Sequence, residues 1–440
     1  MRTTNRKRWA AVSAAVAGTL ILAACGGGGD PEAEEPDSGD DGAAAGEEIT
    51  LTIATFNEFG YEDLLEEYEA LNPGITVEQR KAATTQEARD NMYTRLAAGG
   101  SGLADVEAIE IDWMAELMAY SDLFEEVGDE VEEGRWLDFK AAQATTPDGK
   151  LMAYGTDIGP QAICYRSDLF EAAGLPTDEA EVAALLGDTW ESYFEAGRAF
   201  TAVSDVPWFD SAQANYNSAV NQIEYAYENS DGTPIPLSEN QQVKDLYNEI
   251  LSASVDDGLS ANLNQWTDDW ANAFQTDGFA TMLCPPWMLG VIEGNAAGVE
   301  GWRLADTFPG GGGNWGGAFL AVPSAGEHIE EAKALAAWLT APEQQIGAFE
   351  AKGPFPSQVE AFTNERLLSK TNAFFNGAPT GEIYVNRALE IEVAAFKGEY
   401  YFGIHETVTD AITRVDVEMT DDAASSWEKA VQAASELGLG

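Results

Sequence analysis

Histidine is nearly missing from this 440-residue chain, which has only His328 and His405. Neither a His-Glu-x-x-His zinc helix nor a Gly-x-Ser-x-Gly nucleophile elbow occurs, so metal-assisted and serine chemistries lack their parts. The glycine run 310–313 is not followed by Lys and therefore makes no phosphate-cradling loop. Cysteine is as scarce: Cys25, Cys164 and Cys284 are too few for a disulfide scaffold. Basic residues number 23 against 76 acidic ones. That imbalance argues against nucleic acid, anionic lipid and phosphorylated ligands, whose binding rests on Lys and Arg clusters. The apolar run 10–24 falls short of the roughly 20 residues that span a bilayer. Carboxylates are the chemistry left over. With 76 of them some pair always lies close enough to imitate a glycosidase dyad, so a glycoside hydrolase stays open as an alternative.

What is present begins with four cations, Arg2, Arg6, Lys7 and Arg8, ahead of the apolar run that Leu22-Ala23-Ala24-Cys25 closes. This arrangement resembles the bacterial lipobox. The resemblance implies a signal peptide over 1–24, an acylated Cys25, and a protein held on the extracellular face of the cell membrane; an ordinary secretory leader or an uncleaved anchor would also place the chain outside. Residues 25–48 then read as an acidic tether. Nine carboxylates and no apolar residue larger than Ala cannot offset the entropy of ordering. As a flexible chain this stretch reaches roughly 25 Å, and self-repulsion lengthens it. Without the leader, 19 basic residues face 76 acidic ones, a net charge near −57. A solvated, salt-adapted surface accounts for the excess. Such a field is indifferent to a neutral ligand and attracts a cationic one, which keeps a receptor for peptides or polyamines as a further alternative.

About 390 residues follow, too many for one core and suited to two lobes. Residues 49–55 alternate with period two and are rich in β-branched types, which predicts a strand. Residues 62–71 put Leu64, Leu65, Tyr68 and Leu71 on one helical face, and Asn72-Pro73-Gly74 stops the helix. A strand at 75–78, a helix at 86–98 and a strand at 104–111 complete a strand–helix alternation, which implies a parallel sheet covered on both faces. Ligands collect at the carboxyl ends of such strands. Here that means Asn57 after the first strand and Glu110, Asp112 and Trp113 after the third. Cys164 and Cys284 both sit in strand-like runs; one bridge between them is expected, with two buried thiols as the alternative.

Five stretches carry a family resemblance in order: residues 71–77 (Leu-Asn-Pro-Gly-Ile-Thr-Val), 157–160 leading into 164–176, 285–290 (Pro-Pro-Trp-Met-Leu-Gly), 315–323 (Trp-Gly-Gly-Ala-Phe-Leu-Ala-Val-Pro), and the helix 332–339 before Ala341-Pro342-Glu343. Together they resemble the extracellular solute-binding protein family 1 of bacterial ABC importers across nearly the whole chain after the leader. The resemblance implies an α/β, two-lobed, periplasmic-binding-protein-like type II fold. Each lobe would be a mostly parallel sheet flanked by helices, with hinge strands joining the two. Lobe 1 is expected over 49–155 and 319–354, lobe 2 over 156–318 and 355–440, with crossings near 154–159, 315–319 and 352–356, each of which contains Gly or Pro.

A sugar offers C–H faces to aromatic rings and hydroxyls to carboxylates and amides. Trp287, after Pro285-Pro286, matches the residue of maltodextrin-binding relatives that stacks on the sugar. Trp315, framed by glycines, lies where the lobes meet. Asp112 matches the family's carboxylate at the end of the third strand, and Glu110 lies two residues earlier. Asn57 and Asp157 are placed to bond hydroxyls, Trp113 to add a ring or to pack the next helix. Tyr400, Tyr401 and His405, with His405 beginning the following helix, resemble the region where relatives add a late aromatic. Trp266 and Trp270, four apart, read as one helix face. The function implied is that of a lipid-anchored, monomeric, sugar-binding subunit. It would hold a neutral disaccharide or short oligosaccharide and deliver it to permease subunits, using no cofactor or metal, binding no nucleic acid and altering no bond.

Overall fold

A computed structural model describes residues 48–128, 134–393 and 395–438. The leader expected over 1–24, the lipidation site Cys25 and the tether up to residue 47 lie outside these. No helix among the described residues is long and apolar enough to cross a membrane.

The first sheet is built as its sequence periodicity directs. Strand β1 (Ile49–Phe56) buries Leu51 and Ile53 on one face while its alternate residues are partly covered. Helix α1 (Glu62–Leu71) buries Leu64, Leu65 and Tyr68, but Leu71 at its last position is exposed. β2 (Ile75–Ala82), α2 (Thr85–Ala97) and β3 (Val106–Glu110) follow. The Thr84 side chain caps α2 by accepting from the Glu87 N–H at 3.2 Å. Within this run the pairing is parallel, with Ile49 opposite Ile75 and Ile53 opposite Val106. The sheet then departs from the parallel expectation. β4 (Ala153–Gly155) and β9 (Ala318–Ala321) complete the order β2-β1-β3-β9-β4, and β9 runs antiparallel to both its neighbours. β9 returns from the second sheet, so it enters the first from the opposite end.

The second sheet, order β7-β6-β8, consists of β6 (Ala162–Arg166), β7 (Thr281–Cys284) and β8 (Trp302–Ala305). Both pairings are antiparallel, which corrects the expectation of a mostly parallel sheet here. β7 and β8 share a direction and are joined through the helix Pro286–Asn295, as a βαβ unit requires. The early strand β6 is inserted between them and reverses each contact. Alternation along β6 sends Ile163 and Tyr165 to one core and Ala162 and Cys164 to another. Cys164 and Cys284 face that second core together and are bridged, their Cα atoms 5.6 Å apart across 120 residues of sequence.

Between the sheets the chain passes from β4 through β5 (Asp157–Ile158) to β6, and from β8 back to β9. β5 pairs with β10 (Phe355–Pro356), which follows the helix Pro342–Lys352. The Trp315 N–H donates to the Gly159 carbonyl at 2.8 Å, so the two passages are bonded to each other.

Replacing both Cys164 and Cys284 by Ala frees a 120-residue loop in the unfolded chain. Urea unfolding is expected to show about 2–5 kcal/mol less stability. A loss under about 1 kcal/mol would mean that the bridge adds little to packing around β6 and β7.

Candidate functional site

Two groups of side chains gather where the chain passes between its sheets. The first is aromatic. Trp287 stands in the first turn of the helix Pro286–Asn295, a position where Pro286 costs no hydrogen bond. Its Nε1 donates to the Trp315 carbonyl at 3.2 Å, and the two indoles meet edge to face at 5.4 Å. A Cβ on Gly159 would collide with that carbonyl, and one on Gly353, whose φ is +95°, would lie 2.9 Å from the Pro286 carbonyl. Bare backbone therefore brackets Trp287 on two sides. Trp266 stacks on its ring at 6.1 Å and an interplanar angle of 25°. The expectation that Trp266 and Trp270 share a helix face is corrected. The helix spans Asp268–Ala273; Trp270 is buried, but Trp266 precedes it in a left-handed conformation with φ +70° and is 61% exposed.

The second group is charged. Ile111 N–H donates to the Gly317 carbonyl at 3.0 Å, joining the end of β3 to the Trp315 segment. Glu110, the last residue of β3, caps the short helix α3 (Ile111–Met114) by accepting from the Asp112 N–H at 2.7 Å. The Asp112 carboxylate in turn takes a hydrogen bond from the Lys397 ammonium. Lys397 is almost wholly buried, and its nitrogen lies 4.8 Å from the centre of the Tyr401 ring. Glu228 holds the Lys397 loop by accepting from the Gly398 and Tyr400 N–H groups at 3.0 and 3.2 Å. Arg89 of α2, paired with Glu116, covers Phe402 at 4.3 Å. The helix Tyr401–Asp416, packed in the core that holds Ile163 and Tyr165, thus meets the first sheet's layer through Lys397 beside Tyr401 and through Arg89 over Phe402.

Burial and then the Asp112 carboxylate hold Glu110 well above the usual carboxylate range, against Lys397 and Lys140. Lys140, on helix α4 (Asp138–Gln143), is fully buried with its ammonium 3.7 Å above the Phe319 ring and no hydrogen-bond partner among the described residues. Burial draws it down to about 7, although Asp157 and Glu110 favour its charged form. Burial likewise draws His405 down to about 4, against the pull of Asp112. The His405 ring is stacked between Tyr216 and Tyr401, with Nδ1 2.9 Å from the Tyr227 hydroxyl.

The other sequence candidates divide. Asp157 accepts from Thr156 Oγ1 at 2.7 Å and from the Ala318 N–H at 2.9 Å, so its carboxylate ties β5 to β9. Asn57 is exposed after β1, in a left-handed conformation, and its side chain bonds none of the other candidates among the described residues. Trp113 is corrected: at 1% exposure it packs with Ile109 and Met114 in the core, because α3 turns it back under the sheet. Tyr401 is sealed in the same way, and it, not His405, begins the helix; His405 falls one turn later. Tyr400 is partly buried beside Glu228. Sequence reasoning missed Lys397, Lys140, Glu228 and Trp266. A lone Lys in a loop, partnered 285 residues away, leaves no local signal, whereas the position of Trp266 ahead of the Thr267 helix cap was readable.

Two α/β layers joined by paired crossing strands, with rings and carboxylates gathered at the crossing, define a binding protein of the two-lobed periplasmic type. The profile described as bacterial extracellular solute-binding protein matches residues 63–374, and the chain belongs to that family. A crystal structure titled as an extracellular solute-binding protein of family 1 is 48% identical, covering 88% of this chain and 99% of its own, at a TM-score of 0.81. The ABC transporter associated binding protein from B. animalis subsp. lactis, solved with beta-1,6-galactobiose, shares the fold at 18% identity, with 88% and 97% coverage and a TM-score of 0.74. So does the galacto-N-biose-/lacto-N-biose I-binding protein from Bifidobacterium longum, at 13% identity, 88% and 96% coverage and a TM-score of 0.71. No curated protein sequence is significantly similar to the chain.

His405 stays neutral in the folded chain until about pH 4, whereas an unfolded imidazole takes its proton near 6.5. Acid therefore favours the unfolded chain, and His405 is expected to remove up to about 3 kcal/mol of stability as pH falls from 6.5 to 4. Urea unfolding of His405→Gln should show a shallower loss over that window. An unchanged slope would assign the acid sensitivity to other groups.

Proposed function

We propose that this protein is the sugar-binding lipoprotein of an ABC importer. Anchored through an acylated Cys25 on the extracellular face of the membrane, it takes a neutral disaccharide or short oligosaccharide between its lobes and presents it to a permease. The observation that carries the reading is the tryptophan group at the crossing. Trp287 is fixed by a hydrogen bond to backbone, Trp266 extends its face toward solvent, and Trp315 meets its edge. Fixed rings bind the C–H faces of a pyranose at little entropic cost. Asp112 and Glu110 supply acceptors for hydroxyls, joined by Asn57 and, from the second lobe, Tyr400 and His405; a neutral imidazole offers one donor and one acceptor. Asp157, Tyr401 and Trp113 act from behind as supports.

Binding is coupled to closure. A ligand touching Trp287 on one side and Asp112 on the other stabilises the closed form by its differential affinity for it. The relatives are solute-binding proteins solved with intact sugars, in keeping with a chain that makes and breaks no bond. The lobe limits proposed are 49–155 with 319–354 and 156–318 with 355–440.

Calorimetric titration of the purified protein against a panel of disaccharides tests the reading. A neutral sugar should saturate the protein and be recovered unaltered. Trp287→Ala should weaken binding by roughly 2 kcal/mol or more, and Trp266→Ala by about 1 kcal/mol through lost stacking. Released reducing sugar would replace this reading with a hydrolase. Saturation by polyamines or peptides and not by sugars would replace it with a receptor for cations.

A further inference from the structure

A second cavity lies away from the crossing, between α2 and the outer strands of the first sheet. Its open volume is about 200 Å³, and Arg80, Lys81, Arg95, Asn91 and Thr55 line it together with two carboxylates, Glu87 and Glu107. The cavity exists because the rest of its wall is alanine: Ala54, Ala82, Ala88 and Ala108. In the sheet, Arg80 stands opposite Ala54 and Ala54 opposite Glu107, so the arginine and the glutamate share one face with a methyl group between them. Arg95 of α2 lies above that row.

The charges here run against the rest of the molecule. With 76 acids to 23 bases, cations are expected to find carboxylates, and most do: Arg166 with Asp168 and Asp277, Arg198 with Asp257, Arg387 with Asp306, Arg414 with Asp421. Arg80 and Arg95 form no ion pair or hydrogen bond among the described residues, and both line this one cavity. Neither lining carboxylate pairs with them: Glu87 Oε2 accepts from the Ala83 N–H at 2.9 Å, and Glu107 is committed elsewhere. It is 3% exposed with Oε1 already accepting from the Ala104 N–H at 2.6 Å, and burial lifts its carboxyl to about 7 in spite of both guanidiniums. The distant negative surface does not cancel them either, since charges beyond about 8 Å are screened at physiological salt.

We propose that this cavity is a second binding site, in which the guanidinium groups of Arg80 and Arg95 hold a small oxyanion, a carboxylate or a phosphate. Two guanidiniums present fixed N–H forks that match either anion, and Asn91 adds a neutral donor. A protonated Glu107 contributes its O–H as well, so the anion binds more tightly as pH falls toward 6. The site is independent of the tryptophan group and of what that group holds.

The test titrates the full purified protein with sodium acetate and, separately, with sodium phosphate at fixed ionic strength, with chloride as the control. Thermal shift and calorimetry are the readouts. At least one of the two is expected to saturate below about 50 mM, a weak but specific range, and which one does so names the anion. The Arg80→Gln/Arg95→Gln double variant, with an unchanged circular dichroism spectrum and unchanged disaccharide affinity, should bind that anion about tenfold or more weakly. Glu107→Gln should keep the binding and lose its dependence on pH between about 6 and 8. A response no larger than that to chloride, equal responses in wild type and the double variant, or loss of binding in a folded Glu107→Gln protein would each overturn the assignment.

Discussion

Passing a backbone twice between two sheets at one place leaves almost no room for side chains, and that crowding orders everything near it. Gly159 lies against the Trp315 carbonyl, Gly317 against the Asp157 backbone and Gly353 against Pro286. Each contact is closer than a Cβ would allow. The hydrogen bonds that join the passages, from Trp315 to Gly159 and from Ile111 to Gly317, fix the rings and the carboxylates to the same short length of backbone.

The inside of the crossing is electrostatically unlike the outside. Against a surface dominated by carboxylates, the crossing holds Glu110, Asp112 and Asp157 opposite Lys140 and Lys397, with a neutral His405 between its tyrosines. Removing such charges from water is expensive, and it is tolerated here because each has a partner or an aromatic face. Lys397 joins Asp112 across 285 residues of sequence, so one charge pair ties the loop before the Tyr401–Asp416 helix to the end of β3.

Local order in this chain was legible wherever period and punctuation agreed. Ile49 to Phe56, Glu62 to Leu71 and the helix opened by Thr84 follow from alternation, an apolar stripe and a cap. Strand direction was not legible, because a four-residue run such as Ala318–Ala321 carries no mark of which neighbour it will meet or from which end it will arrive. Site residues divided on the same line. Trp287 after two prolines and Asp112 at the end of β3 were readable as positions at the crossing because both follow strand ends. Trp113 was misjudged because α3 turns it under the sheet within one residue. Lys397, Lys140 and Glu228 owe their positions to contacts across 170 residues or more, and pattern reading over a short window holds no information about them.

The place of β9 has a consequence for how the chain acquires its shape. The first three strands emerge early, yet β3 gains its second neighbour only with residues 318–321, and β4 joins the same sheet solely through that late strand. Until then β3 presents an unpaired edge. Native order in the amino-terminal sheet must therefore wait until some three-quarters of the polypeptide has left the ribosome. Long-range strand pairing of this kind slows folding. A chain completed in this order stays loose while it is being made and becomes compact only when its later strands are present.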